Sequence, residues 1–187
     1  GRIAGLTMLS ETVERCAVGI AVEGVGLASL SAITATASTG PGLLLRDVAA
    51  ATLHGSRVTR NHGGVRVVES TGSATSIVIG GSPEQHNDLR ANSGPELELV
   101  NETGTSVSTS DVLATYNDWG TADRSRIESG IVHRPDDILL GLVTYLPAMG
   151  ATDAQPSLVA VPPGVVADGV SEAVLTLEAL DPGGRPV

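Results

Sequence analysis

The chain has 187 residues, a formal net charge of −10 and only 2% aromatic residues, with no phenylalanine. All 11 basic residues are arginines and form no cluster in the sequence, which argues against nucleic acid or an anionic membrane surface as a partner, because both need concentrated positive charge. A single cysteine, Cys16, excludes an intrachain disulfide, and no apolar run is long enough for a transmembrane segment.

The chain opens directly on strand-like sequence at Gly1-Arg2-Ile3, without the features of a secretory signal peptide. We therefore expect an excerpt of a longer protein whose signal peptide lies outside this chain.

A glycine followed by an alternating apolar triplet recurs after Gly19, Gly42 and Gly64, at intervals of 23 and 22 residues. A fourth copy of the triplet is expected at Leu97-Glu98-Leu99. Periods of 20 to 25 residues with several short strands predict a β-solenoid. A leucine-rich repeat would need a helical half, and a β-sandwich would show hairpins with two-residue turns.

A second repeated motif precedes the triplets at residues 13–16, 58–61 and 89–92, and it places Asn61 and Asn92 at matching positions. Stacked amides in successive coils can hydrogen-bond to one another and to the backbone of a bend. We therefore name Asn61 and Asn92 as a candidate ladder, with ordinary turn residues as the alternative.

Residues 70–87 are rich in glycine and proline and are expected to lengthen one coil into a loop, where solenoid proteins often carry function. Arg46, Arg66 and Glu98 could stack on one sheet as a polar stripe that contacts a glycan or another protein. The alternative is an ordinary solvated face.

The only Trp and both Tyr residues of the chain lie between residues 111 and 147, and Ile127 and Ile131 are four residues apart, which predicts one or two helical turns. An open solenoid end needs a cap over its apolar side chains and unpaired backbone. We expect a structural cap that includes Asn117, Trp119, Gly120, Tyr145 and Pro147.

This segment resembles the closing segment of right-handed parallel β-helix proteins of the pectin-lyase-like superfamily, typical of large bacterial surface and secreted members. The resemblance implies an all-β fold: a right-handed parallel β-helix (solenoid) with a C-terminal cap over residues 1–148. The matching residues are Val112, Ala114, Asn117, Trp119, Gly120, Ile127, Ile131, Gly141, Val143, Tyr145 and Pro147.

After a linker at residues 149–155, residues 156–187 resemble the start of a bacterial Ig-like domain of the invasin and intimin type. The resemblance rests on the Ala-Asp-Gly-x-Ser and Asp-x-x-Gly-x-Pro-Val turns. A whole Ig-like sandwich needs about seven strands and about 100 residues, so we expect a partial Ig-like β segment. Its unpaired strands could mediate self-association, pack back on the cap or stay disordered.

The chain lacks the motifs that the resemblance would imply for an enzyme, namely the paired Asp residues of polygalacturonases and the clustered calcium-binding Asp residues of pectate lyases. We expect no catalytic residue, no cofactor and no metal, with one weak candidate calcium site near Asp111, Asp118 and Asp123. The alternative is that these are solvated loop carboxylates.

These observations predict a non-catalytic structural or adhesive module of a large bacterial cell-surface or secreted protein, extracellular in location. Its partner would be a glycan or another surface protein. One alternative is the C-terminal part of a carbohydrate-active β-helix enzyme whose active coils lie outside this chain. The other is a fibre-forming, self-assembling surface protein.

Overall fold

The computed structural model describes residues 3–70, 75–94, 98–104 and 111–149, and the backbone of two further strands at residues 155–161 and 174–180. Three strands follow each other in each of the first three coils, and the later coils have shorter or missing second strands. The strands are β1 (Ile3–Leu9), β2 (Thr12–Glu14), β3 (Ile20–Glu23), β4 (Val25–Ser31), β5 (Thr34–Thr36), β6 (Leu43–Arg46), β7 (Ala50–His54), β8 (Arg57–Thr59), β9 (Val65–Val68), β10 (Ser76–Ile79), β11 (Leu99–Glu102), β12 (Val112–Leu113), β13 (Ile131–Val132), β14 (Val143–Thr144), β15 (Gln155–Val161) and β16 (Val174–Leu180).

The strands up to β14 form three sheets in which every described pairing is parallel. A six-stranded sheet has the order β1-β4-β7-β10-β12-β14, a five-stranded sheet the order β13-β11-β9-β6-β3, and a three-stranded sheet the order β2-β5-β8. Strands that are neighbours in a sheet come from successive coils. The prediction of an all-β parallel solenoid is confirmed.

The glycine-led triplets form one ladder, since Ile20 pairs with Leu43 and Leu43 pairs with Val65. The fourth member was predicted wrongly: Val65 pairs with Leu99 rather than with Leu97, so the triplet begins two residues later. The glycines precede the triplets because neighbouring coils approach closely there. A Cβ at Gly64 would overlap the backbone of Glu98.

The coils turn through residues in the left-handed backbone region, which is uncommon outside glycine. After each strand of the three-stranded sheet, and at the matching place in the next coil, the bend residue has φ between 56° and 61°: Arg15, Ala37, Arg60 and Ala91. A second set bends the chain before that sheet: Ser10, Ala32, Gly55 and Tyr116. Bends of one or two residues keep successive coils in register.

Inward side chains stack at equal heights in successive coils. In the six-stranded sheet one such stack holds Ala28, Ala51, Ile77, Val112 and Val143, all buried. Facing sheets leave room for aliphatic side chains only, which explains a core without phenylalanine.

The glycine-rich stretch at residues 70–87 is not one loop, because β10 lies within it. The insertion is confined to residues 80–86, between β10 and Asn87, and holds a short 3₁₀ helix at Pro83–Gln85. It lengthens the interval between paired residues from 23 (Thr34 to Arg57) to 31 (Arg57 to Asp88).

The predicted helical turns are present as α1 (Arg124–Ser129), whose first turn is capped by the Asp123 carboxylate accepting from the amides of Ser125 and Arg126. No described helix is long and apolar enough to cross a membrane. The chain divides into two compact units at residues 1–151 and 152–187. In the second unit β15 and β16 pair antiparallel, and the remainder of the predicted Ig-like segment lies outside the described residues.

Candidate functional site

The outer face of the three-stranded sheet carries a row of charged side chains that continues beyond the sheet itself. Thr34 pairs with Arg57, and two isolated parallel bridges extend this row to Asp88 and then to Asp118. Arg90 lies two residues after Asp88 and points to the same side. We call the side chains of Arg57, Asp88, Arg90 and Asp118 the Arg–Asp face.

The four side chains of the Arg–Asp face form one chain of ion pairs. Arg57 Nε lies 3.3 Å from Asp88 Oδ2, and Arg90 Nε lies 3.1 Å from Asp88 Oδ1. Arg90 Nη1 also lies 3.5 Å from Asp118 Oδ2. Both arginine side chains remain more than half exposed, so these pairs contribute little to stability but hold the guanidinium groups in place.

Two depressions adjoin the Arg–Asp face and share Arg57 and Asp88. The larger, about 350 Å³, also contains Glu84 and His86 from the insertion. The smaller, about 180 Å³, contains Arg60 and Arg90. The backbone amide of Glu84 and the Ser82 hydroxyl hold the pKa of the Glu84 carboxyl below its ordinary value, so this group carries a negative charge at the rim.

Buried amides support this face from both bends that flank the sheet. On one side Asn61 Nδ2 donates to Asn92 Oδ1 over 3.1 Å, and the Ser38 amide donates to Asn61 Oδ1 over 2.9 Å. The structure thus brings together the two residues named as a candidate ladder. Each side chain also bonds to backbone groups of the neighbouring coils.

On the other side, sequence reasoning missed an equivalent stack. Asn87 Nδ2 donates to Asn117 Oδ1 over 2.9 Å, and the Ser56 amide donates to Asn87 Oδ1 over 2.9 Å. The available signal was the repeated Asn-Asp-apolar triplet at residues 87–89 and 117–119. The same triplet places Asp88 and Asp118 in adjacent coils, which the sequence search for paired carboxylates overlooked.

The predicted stripe of Arg46, Arg66 and Glu98 is not one group. Arg46 pairs with Glu23 at 3.2 Å, and Arg66 makes a two-pronged pair with Glu102 at 2.9 Å for both bonds. Glu98 turns instead to the first amide stack, where its Oε2 accepts from Asn92 Nδ2 over 2.6 Å. Burial raises the pKa of the Glu98 carboxyl from 4.5 to about 7.

The three carboxylates of the candidate calcium site also have separate partners. Asp111 pairs with Arg134, Asp118 with Arg90, and Asp123 caps α1. Within the described ranges no three His, Cys, Asp or Glu side chains converge as metal ligands. The structure offers no reason to place calcium there.

The residues named as the cap gather near the last coils. Trp119 follows Asp118 as Leu89 follows Asp88, so its ring stacks above Leu89 and is only 4% exposed. A Cβ at Gly120 would crowd the Arg90 side chain at 2.8 Å. Tyr116 donates its amide to the Pro147 carbonyl over 2.5 Å.

A second polar cluster ties α1 to β13 and β14. The buried His133 accepts from the Val143 amide at Nδ1, so Nε2 carries the proton and donates to Glu128 Oε1 over 3.0 Å. Burial alone raises the pKa of Glu128, but hydrogen bonds from Tyr145 and His133 hold it below its ordinary value. Burial and the Glu128 contact raise the pKa of Tyr145. These groups satisfy one another, which indicates a structural role.

The Arg–Asp face is therefore the arrangement best placed to meet a ligand. Its donors and acceptors are exposed, held by ion pairs and backed by buried amides, and two depressions open beside it. Comparison of the chain with known protein families, curated proteins and solved structures found no match.

Proposed function

We propose that this chain is a non-catalytic, rigid module of a bacterial cell-surface or secreted protein, and that its Arg–Asp face binds a glycan. The observation that carries the proposal is the row of exposed, ion-paired Arg and Asp side chains beside two polar depressions. The resemblance of residues 111–147 to the pectin-lyase-like superfamily, and of residues 156–187 to bacterial Ig-like domains, supports the extracellular setting.

Hydrogen-bonding capacity favours a sugar ligand. A guanidinium has five N–H donors and a carboxylate about four acceptor sites, and the ion pairs of Arg57 and Asp88 use only part of this capacity. Successive coils repeat at about 4.8 Å, so the donors and acceptors alternate along the coil direction. A chain of sugar hydroxyls can meet such a row with both kinds of hydrogen bond.

Preorganisation is the second argument. Binding is weakened when side chains or loops must become ordered at the interface. Here Asp88 is fixed by two arginines, and the adjoining Asn87 is fixed by bonds to Asn117 and to the Leu53 carbonyl. The face therefore has little ordering left to complete when a ligand arrives.

One observation favours the alternative of a carbohydrate-active enzyme. Asp88 and Asp118 stand in adjacent coils on the same outer face, and glycoside hydrolysis uses two carboxyl groups across the scissile bond. However, one of the two must deliver a proton, and both of these groups already pair with arginines. We therefore favour binding without turnover.

Binding to an array of immobilised glycans tests the proposal. We compare the wild type with Asp88→Asn, which removes the charge that holds both arginines, and with Glu23→Gln, a control that breaks the Arg46 ion pair on the five-stranded sheet. We expect the first variant to lose at least about tenfold in affinity and the control to match the wild type. No binding to any glycan, or equal loss in both variants, would contradict the proposal.

Turnover is tested separately by incubating bound glycans with the protein and measuring new reducing or unsaturated ends. We expect none. Cleavage that Asp118→Asn abolishes would establish the enzyme alternative instead.

A further inference from the structure

The smaller depression beside the Arg–Asp face concentrates positive charge. Its lining includes Arg57, Arg60 and Arg90 but only one carboxylate, that of Asp88. The whole chain has a net charge of −10, so this excess of two positive charges runs against the average. The arginines are separated in the sequence, and only the coil register brings them together.

Asp88 does not oppose an anion in this depression. Each of its oxygens already accepts from an arginine, Oδ2 from Arg57 and Oδ1 from Arg90. Its role is to hold the two guanidinium groups at fixed positions while their other N–H groups remain available.

Arg60 supplies the third side of the depression. It is exposed, occupies a left-handed bend with φ of 58°, and makes no ion pair with any described residue. The next residue, Asn61, is buried in the first amide stack and fixes the backbone from which Arg60 projects. A free guanidinium beside two partly used ones is suited to an oxyanion.

We infer that the depression lined by Arg57, Arg60 and Arg90 binds a tetrahedral oxyanion, namely a sulfate or phosphate ester carried by a glycan. This rests on the proposed function and adds the chemical class of the ligand. An esterified tetrahedral group presents three oxygens, one for each guanidinium, whereas a carboxylate presents two. The volume of about 180 Å³ suits one such group rather than a large ring system.

The chain itself supplies well-matched variants. Arg60→Ala removes the free guanidinium, and the backbone tolerates alanine because Ala37 and Ala91 occupy the equivalent bends with φ of 57° and 61°. Arg15→Ala is the control: Arg15 has the same bend conformation, with φ of 56°, is also exposed, and does not line the depression. Both variants change the net charge equally.

The experiment is calorimetric titration at low ionic strength with inorganic sulfate, inorganic phosphate, a sulfated oligosaccharide, its desulfated counterpart and a phosphorylated oligosaccharide. We expect the sulfated or the phosphorylated sugar to bind at least about tenfold more tightly than the neutral one. Arg60→Ala should abolish that preference while Arg15→Ala keeps it, and added salt should weaken it.

The outcomes separate this inference from the proposed function. Neutral and charged sugars bound equally, or a preference unchanged in Arg60→Ala, would overturn the oxyanion site while the glycan function stands. Inorganic anion bound through Arg60 without any sugar would retain the oxyanion site and remove the glycan. A single-stranded oligonucleotide bound more tightly than every sugar would show that the ligand class is wrong.

Discussion

Replacing Asn117 tests whether the buried amide stacks hold the coils together. All five asparagines of the chain are buried, and Asn117 is fully so. Its Oδ1 accepts from the amide and the side chain of Asn87, and its Nδ2 donates to the carbonyls of Ile79 and Ala114 over 2.7 and 2.8 Å. Four hydrogen bonds therefore depend on one side chain.

The expected loss follows from these four bonds. A typical intramolecular hydrogen bond contributes about 1 kcal/mol net, and a buried group left without a partner costs about 1–3 kcal/mol. Asn117→Ala removes all four and leaves the Asn87 amide without its acceptor, so the free energy of unfolding should fall by about 4 kcal/mol. Asn117→Asp preserves the shape and both acceptor contacts but loses both donations, so we expect a fall of about 2 kcal/mol or more.

Urea unfolding monitored by circular dichroism and by the fluorescence of Trp119, the only tryptophan, measures these changes. Gln85→Ala is the matched control, because it removes an exposed amide with only one long contact, 3.4 Å to the Ser82 hydroxyl. The control should stay within about 0.5 kcal/mol of the wild type. If Asn117→Ala costs less than about 1 kcal/mol with an unchanged denaturant slope, the amide stacks do not stabilise the solenoid as argued.

Three further predictions concern other parts of the chain. Trp119→Ala should lower the free energy of unfolding by about 3–5 kcal/mol, measured by circular dichroism, and strong quenching of native Trp119 by a water-soluble quencher would contradict its burial. Glu98 has a pKa raised to about 7 in the folded state, so the fold binds its proton more tightly than the unfolded chain, and stability should fall as the pH rises from about 4.5 to 7 and then level off. Glu98→Gln should therefore raise the urea midpoint at pH 8 and hardly at pH 4.5, and a pH-independent difference would refute this. If residues 156–187 mediate self-association, their deletion should reduce the mass in light scattering to that of a monomer, whereas a monomer before and after deletion rules it out.

Local sequence sufficed for the class of fold. The glycine before each apolar triplet and the spacing near 23 residues predict parallel coils, because a strand that repeats in the next coil must present the same side chains at the same height. The capped helical turns after Asp123 were also predictable, since they depend on contacts within four residues. The choice of Leu97 rather than Leu99 was wrong because alternate positions in a strand look alike to a period-two pattern.

The Arg–Asp face was decided by tertiary structure. Arg57 and Asp88 are 31 residues apart and Asp88 and Asp118 are 30 apart, so neither interval matches the 23-residue repeat. Their alignment depends on how the insertion at residues 80–86 and the coil that follows absorb the additional length. The partners of Arg46, Arg66 and Glu98 were mispredicted for the same reason, because an ion pair is set by coil register and side-chain reach. Composition and periodicity determine that parallel coils form, whereas the length absorbed in each bend determines which charged groups meet.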